Sequence, residues 1–182
     1  MKSPIRSLAT LALLIFTAAV PAALAIDAAK STVTATFRQM NVPVDGEFTK
    51  LAGSISFDPA HPEAASARIE IETAGFDLGM DDYNAEVRKP EWFDSARHPK
   101  ASFVSSGFKA LGADRYLASG KLSIKGKTIA ISLPVTVRRE AAVTVFEGSL
   151  PVSREAFGIG DPGWNEVLDD SVSLRFHLVQ PR

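Results

Sequence analysis

The chain has 182 residues, about one domain's worth, with 46% hydrophobic and 23% charged residues and a formal net charge of −1. Neither sign is in excess and no run of five like charges occurs, which argues against electrostatic capture of nucleic acid or of an anionic membrane. The absence of cysteine excludes disulfides, thiolate metal sites, iron–sulfur clusters and thiol nucleophiles.

Residues 1–25 read as a leader rather than as fold. Lys2 and Arg6 supply a positive start, Leu8 to Val20 is apolar except for Thr10 and Thr17, and Pro21 ends the run. Ala23-Leu24-Ala25 then offers a small-residue cleavage site. The run is well short of the roughly 20 residues needed to span a bilayer. Cleavage after Ala25 is therefore expected, giving a periplasmic protein whose single domain is 26–182.

From Ser31 onward the pattern has a period of two. Val33, Ala35 and Phe37 alternate with threonines, and Ile69 and Ile71 alternate with Arg68, Glu70 and Glu72. The same rhythm runs through Tyr116–Ile124, Ile129–Val137 and Val172–Leu178. The expected strands are eight, at roughly 31–40, 44–57, 65–73, 100–110, 115–124, 128–140, 142–153 and 170–180. Lys125-Gly126-Lys127 and Leu111–Asp114 are expected hairpin turns. Between the third and fourth strands, Asp81 or Asp82 is expected to cap a short helix that carries Val87 inward and ends by Pro90. One apolar face per strand predicts an eight-stranded antiparallel barrel, with a two-sheet sandwich as the competing architecture. Strands of about 11 residues, tilted by about 40°, would make a barrel on the order of 28 Å tall. That height suits a long, thin apolar guest.

Several patterns that could carry chemistry read as structure. Gly158–Gly163 spells GxGxxG, but Pro162 lies inside it and the neighbouring segments are strands, so a glycine-rich turn is the better reading. His61, His98 and His177 lack partners at metal-ligand spacing, and no GxSxG elbow occurs. Asp81-Asp82 and Asp169-Asp170 read as a helix cap and a solvated strand entrance. Catalytic residues, metal ligands and a cofactor are expected to be absent.

The order of several segments resembles the YceI-like polyisoprenoid-binding family across nearly all of residues 26–182. The carriers are Ser31–Phe37, Gly46-Glu47-Phe48 leading to Gly53–Pro59, Trp92-Phe93-Asp94 through His98-Pro99 to Phe103, and Gly120–Gly126. The most specific piece is Arg154-Glu155-Ala156-Phe157-Gly158-Ile159-Gly160 followed by Asp170-Ser171-Val172. The resemblance implies a lipocalin-like barrel, a long isoprenoid or other lipid-like chain in its lumen, export, and a homodimer. Two segments depart from the family pattern, Asp82–Glu86 in the helix and Met40–Asp45 after the first strand, and both bear on contacts to a ligand head group.

The predicted lumen lining is Phe37, Phe48, Phe57, Ile69, Ile71, Trp92, Phe93, Phe103, Leu122, Ile124, Ile131, Leu133, Phe146, Leu150, Phe157, Leu174 and Phe176. Ala35, Ala118 and Gly120, small residues on presumed inward faces, are expected to leave room along the axis. Arg154 is expected to fasten the 158–163 loop through an ion pair with Glu155, Asp161, Asp169 or Asp170; contact with a lipid head group is the competing role. The function expected is that of an exported carrier for a polyisoprenoid, a quinone tail or a related lipid. Sequestration of amphiphilic toxins or antibiotics, and a cofactor-free accessory role in quinone or lipid redox chemistry, are the alternatives. Besides the lipid, the candidate contacts are a second copy of the chain and an inner-membrane quinone or cytochrome protein.

Overall fold

Alternating apolar residues give every long strand one face that water disfavours, and a sheet hides such a face by curling over it. The computed structural model describes residues 23–182. The expected leader lies outside the described residues except for its last three positions. One antiparallel sheet holds β1 (Leu24–Ala25), β2 (Thr32–Gln39), β3 (Val42–Phe48), β4 (Leu51–Ser56), β5 (Ser66–Glu72) and β6 (Phe76–Asp77), followed by β7 (Lys100–Gly112), β8 (Arg115–Ile124), β9 (Lys127–Arg139), β10 (Val143–Ser153) and β11 (Ser171–Pro181). Their order across the sheet is β1-β4-β5-β7-β8-β9-β10-β11-β2-β3-β6. The sheet curls into a half-barrel around an apolar interior. The difference from eight strands comes from the two short bridging strands β1 and β6 and from one split strand.

That split is at Thr49-Lys50. A single strand over 44–57 is expected, but β3 pairs with β2 and β6 whereas β4 pairs with β5 and β1. The amide and the hydroxyl of Thr49 both donate to the Gly75 carbonyl at 2.9 Å, and the Glu72 amide donates to the Lys50 carbonyl. The chain thus crosses between the two sides of the sheet at this corner, and no ladder joins β3 to β4.

Three two-residue turns join the neighbouring strands, each with both central residues at positive φ: Met40-Asn41, Ala113-Asp114 and Lys125-Gly126. This is the hairpin geometry whose twist matches that of the strands it joins. The departing Met40–Asp45 segment is thus the β2–β3 hairpin.

At one end the interior is closed. The Gln180 side-chain amide donates to the carbonyls of Leu24 and Ile55, the Ile26 amide to Gly53, and the Asp27 amide to Val179. Beneath them Ile26, Ile55, Tyr116, Val137, Phe146 and Leu178 form a buried cluster. A second cluster, with Phe48, Phe76, Phe93, Leu122, Ile124 and Phe157, lies toward the other end. There the helix α1 (Asp81–Glu86) is preceded by Met80 as its cap residue, without a side-chain cap. Asp81 and Asp82 instead occupy the first turn, where negative charge complements the helix dipole, so neither is the expected capping residue.

Candidate functional site

Two packed clusters leave space between them. A cavity of about 370 Å³ runs through the interior, lined almost wholly by apolar side chains from the strands and from α1. Its volume falls within the range of roughly 300–1,000 Å³ usual for small-molecule sites. Every expected lining residue except Phe57 and Phe157 stands on its wall.

The two exceptions are corrections. Phe57 lies just beyond β4 and packs edge-on against Phe108, Tyr116 and Phe146 with ring centroids 5.9, 5.0 and 5.6 Å away, plugging the closed end. Phe157 is buried in the short 3-10 turn Glu155–Phe157, where it anchors the loop after β10. Gly120 also departs from expectation. Ala35 and Ala118 do border the cavity, but the space above Gly120 is filled by the Phe103 ring, 2.7 Å from where a Cβ would sit.

Parity would have found several further wall residues. Val33, Ile55, Val135, Val152 and Val172 continue the inward series of their own strands. Val87, expected inward from the helix, does border the cavity, and Leu78 and Tyr83 join it from the segment around α1, where no period-two signal exists to find them.

The wall is distinctive in its burial. Ile69, Ile71, Phe103, Ile131, Leu150, Leu174 and Phe176 point inward yet are only partly buried. In a barrel filled by its own side chains these positions would be fully enclosed. They face a lumen instead.

Polar groups collect toward the α1 end. Gln39, Glu86, Arg154 and Asp169 border the cavity there, beside Phe37, Val44 and the exposed Tyr83. Hydrogen bonding from Lys89 holds the Glu86 carboxyl below the usual carboxylate range.

Arg154 is 4% exposed and is held by the segment that follows it. Its Nε donates to the Asp169 carbonyl at 3.1 Å, Nη1 to the Ile159 carbonyl at 3.0 Å, and Nη2 to Asn165 Oδ1 at 2.7 Å and the Leu168 carbonyl at 3.2 Å. Glu155 is the nearest carboxylate, at 3.7 Å with a half-exposed side chain. The expected carboxylate clasp is therefore mostly a set of backbone carbonyls, which a buried guanidinium satisfies through its fixed fan of donors. Gly160, at φ 77°, passes directly over this guanidinium, and its amide donates to the Glu91 carbonyl. Trp92 and Trp164 pack beside it with centroids 5.3 Å apart. The GxGxxG run is thus a loop laid on an arginine.

Asp170 is a second clasp, its Oδ1 accepting from the Ser153 hydroxyl and the Glu155 amide at 2.9 Å each. His177 pairs with Glu147 at 2.7 Å on the outer face, away from the lumen.

A family model described as a YceI-like domain matches residues 24–180. Among solved structures, BcnA of Burkholderia cenocepacia is similar at 43% identity and a TM-score of 0.82, over 85% of this chain and 98% of that one. A polyisoprenoid-binding domain from Saccharophagus degradans shares the fold at 19% identity and a TM-score of 0.71, over 87% of this chain and 98% of that one. A UPF0312 protein of Azotobacter vinelandii is 34% identical over 106 residues, which span 58% of this chain and 52%, about half, of that relative's length.

Proposed function

Because the chain belongs to the YceI-like family, we propose that it is an exported carrier that holds a long apolar molecule, such as a polyisoprenoid or a quinone tail, in the barrel lumen. The observation that carries this reading is the half-buried inward wall formed by Ile69, Ile71, Phe103, Ile131, Leu150, Leu174 and Phe176. Each methylene moved from water to such a wall contributes about 0.8 kcal/mol, so a chain of ~15 gives about 12 kcal/mol before the cost of immobilisation. Binding is then set by fit and little by hydrogen bonds, and chain length is discriminated weakly. No catalytic step is assigned to the site.

Export rests on the pattern of residues 1–25. Cleavage after Ala25 removes β1 and the Leu24 carbonyl that accepts from Gln180, and leaves Ile26 at the start of the domain with the bonds of Ile26 to Gly53, Asp27 to Val179 and Gln180 to Ile55 still closing that end.

Native mass spectrometry of protein purified from its own host tests the carrier role. The expected result is a co-purifying apolar molecule that gentle activation releases. Recovery of none, together with failure of added isoprenoids to bind, would overturn the reading. Equal displacement of a fluorescent apolar probe by many unrelated amphiphiles would point to sequestration instead. The same spectra report whether a second copy of the chain is bound, and co-purification from membranes tests contact with a quinone or cytochrome protein.

A further inference from the structure

Four glycines stand at inward positions of four strands, each flanked along its strand by inward apolar residues: Gly46 in β3, Gly53 in β4, Gly120 in β8 and Gly148 in β10. Over each lies a large side chain from a neighbouring strand. A Cβ at Gly46 would collide with the Phe76 ring at Cζ, and one at Gly53 would meet Ile69 Cδ1 at 2.7 Å. At Gly120 the Phe103 ring would be 2.7 Å away, and at Gly148 the Phe176 ring 2.6 Å away. All four covering side chains line the cavity. Each is pressed into a notch in the wall where any other residue would hold it off.

We infer that these glycine notches set the bore of the lumen, with Gly46 and Gly148 as specificity-determining positions that admit a methyl-branched apolar chain. The inference rests on the carrier reading and adds to it which guest width the lumen takes. A methyl group on the wall at any notch displaces its covering side chain, and the displaced group moves toward the axis. An isoprenoid carries a methyl branch on every fourth backbone carbon and is wider than an unbranched chain of equal carbon number, so it loses more from a narrowed bore.

Gly46 is the most telling of the four. A Cβ at Gly53, Gly120 or Gly148 would also strike a backbone carbonyl, of Arg68, Val104 or Pro134 respectively. At Gly46 the three nearest atoms are all in side chains, two in the Phe76 ring and one Leu78 Cδ2. Phe76 is held by Phe48 at a centroid distance of 4.6 Å and by Phe93 at 5.5 Å. Added bulk at position 46 is therefore relieved by moving the ring, with the strands left in place.

The test compares farnesol with 1-pentadecanol, both of fifteen carbons, as competitors of the fluorescent probe N-phenyl-1-naphthylamine. Wild-type protein is expected to bind both. Gly46→Ala is expected to weaken farnesol relative to pentadecanol on the order of tenfold, the scale of one overpacked methyl group. Adding Phe76→Leu to Gly46→Ala should restore the wild-type ratio, which a merely destabilising change would not do. Phe176→Leu uncovers the Gly148 notch without adding bulk and should shift the ratio toward farnesol. It decides the matter alone if Gly46→Ala fails to fold. An unchanged ratio in folded Gly46→Ala, or in Phe176→Leu, overturns the inference and leaves the carrier reading standing. A wild-type protein that binds neither alcohol nor the probe overturns both.

Discussion

Replacing Arg154 with glutamine removes the guanidinium from beneath the loop it holds. Four acceptors lose a donor: the carbonyls of Asp169, Ile159 and Leu168, and Asn165 Oδ1. An orphaned buried acceptor costs about 1–3 kcal/mol. Asp169 and Asn165 are exposed and rehydrate, and the glutamine amide can still reach one partner, so a net loss of about 3 kcal/mol is expected. In a domain of this size one kcal/mol moves the melting temperature by roughly 2–4 °C, which predicts a fall of about 10 °C. Thermal melts followed by circular dichroism measure it. Displacement assays well below the transition should show nearly unchanged affinity for a hydrocarbon without a head group, because four of the guanidinium's five donors are bound to the loop and such a guest offers no acceptor to the fifth. An unchanged melting temperature with selective loss of affinity for headed lipids would refute this account and make Arg154 a ligand contact.

Ile131→Asp places a charge on the lumen wall and should abolish binding of apolar probes, whereas Ser132→Ala, whose hydroxyl meets Ser119 on the outer face, should not; equal loss from both would reverse the inside–outside assignment. Phe57→Ala removes the plug at the closed end and should cost about 3 kcal/mol or more in denaturant unfolding, with affinity for short chains retained. The hydrogen bond from His177, with help from Arg138, holds the Glu147 carboxyl below its usual range. The stability it contributes is thus present above the ordinary carboxylate value and is lost as pH falls through the lowered one. Glu147→Gln should flatten that part of the acid-stability curve, and a wild-type slope in the variant would exclude the pair as its source.

The strands and their inward faces were legible because a period of two states both the element and its buried side. Met40-Asn41 shows the limit of that reading. It looks like an irregular connection, yet both residues adopt positive φ and form a hairpin, a choice imposed by the pairing of β2 with β3. The break at Thr49-Lys50 shows in the sequence only as a change of phase, from Val44, Gly46 and Phe48 inward before it to Leu51, Gly53 and Ile55 inward after it, and the change of strand neighbour makes that slip a corner rather than a bulge. Phe57 and Phe157 have the right chemistry for a lumen wall, but they lie past the ends of their strands, where parity no longer says which way a side chain points. Gly120 was misread because a small residue leaves room only when no neighbour fills it, and Phe103 comes from a different strand.

The ladder between β2 and β11 has a consequence for how the chain reaches this state. Val33 pairs with Phe176 and Ala35 with Leu174, and the Ser31 hydroxyl accepts from the Val179 amide across 148 residues of sequence. Loop-closure entropy must be met before such distant contacts return anything, which places this topology among the slow folders. β2 has no partner on its β11 side until residues 171–181 have been made. A growing chain can assemble the successive hairpins from β7 through β10 first, but its lumen acquires a complete wall only when the final strand arrives. Truncation before Ser171 should therefore leave an aggregation-prone open sheet with β2 and β10 as unpaired edges, rather than a smaller version of the barrel.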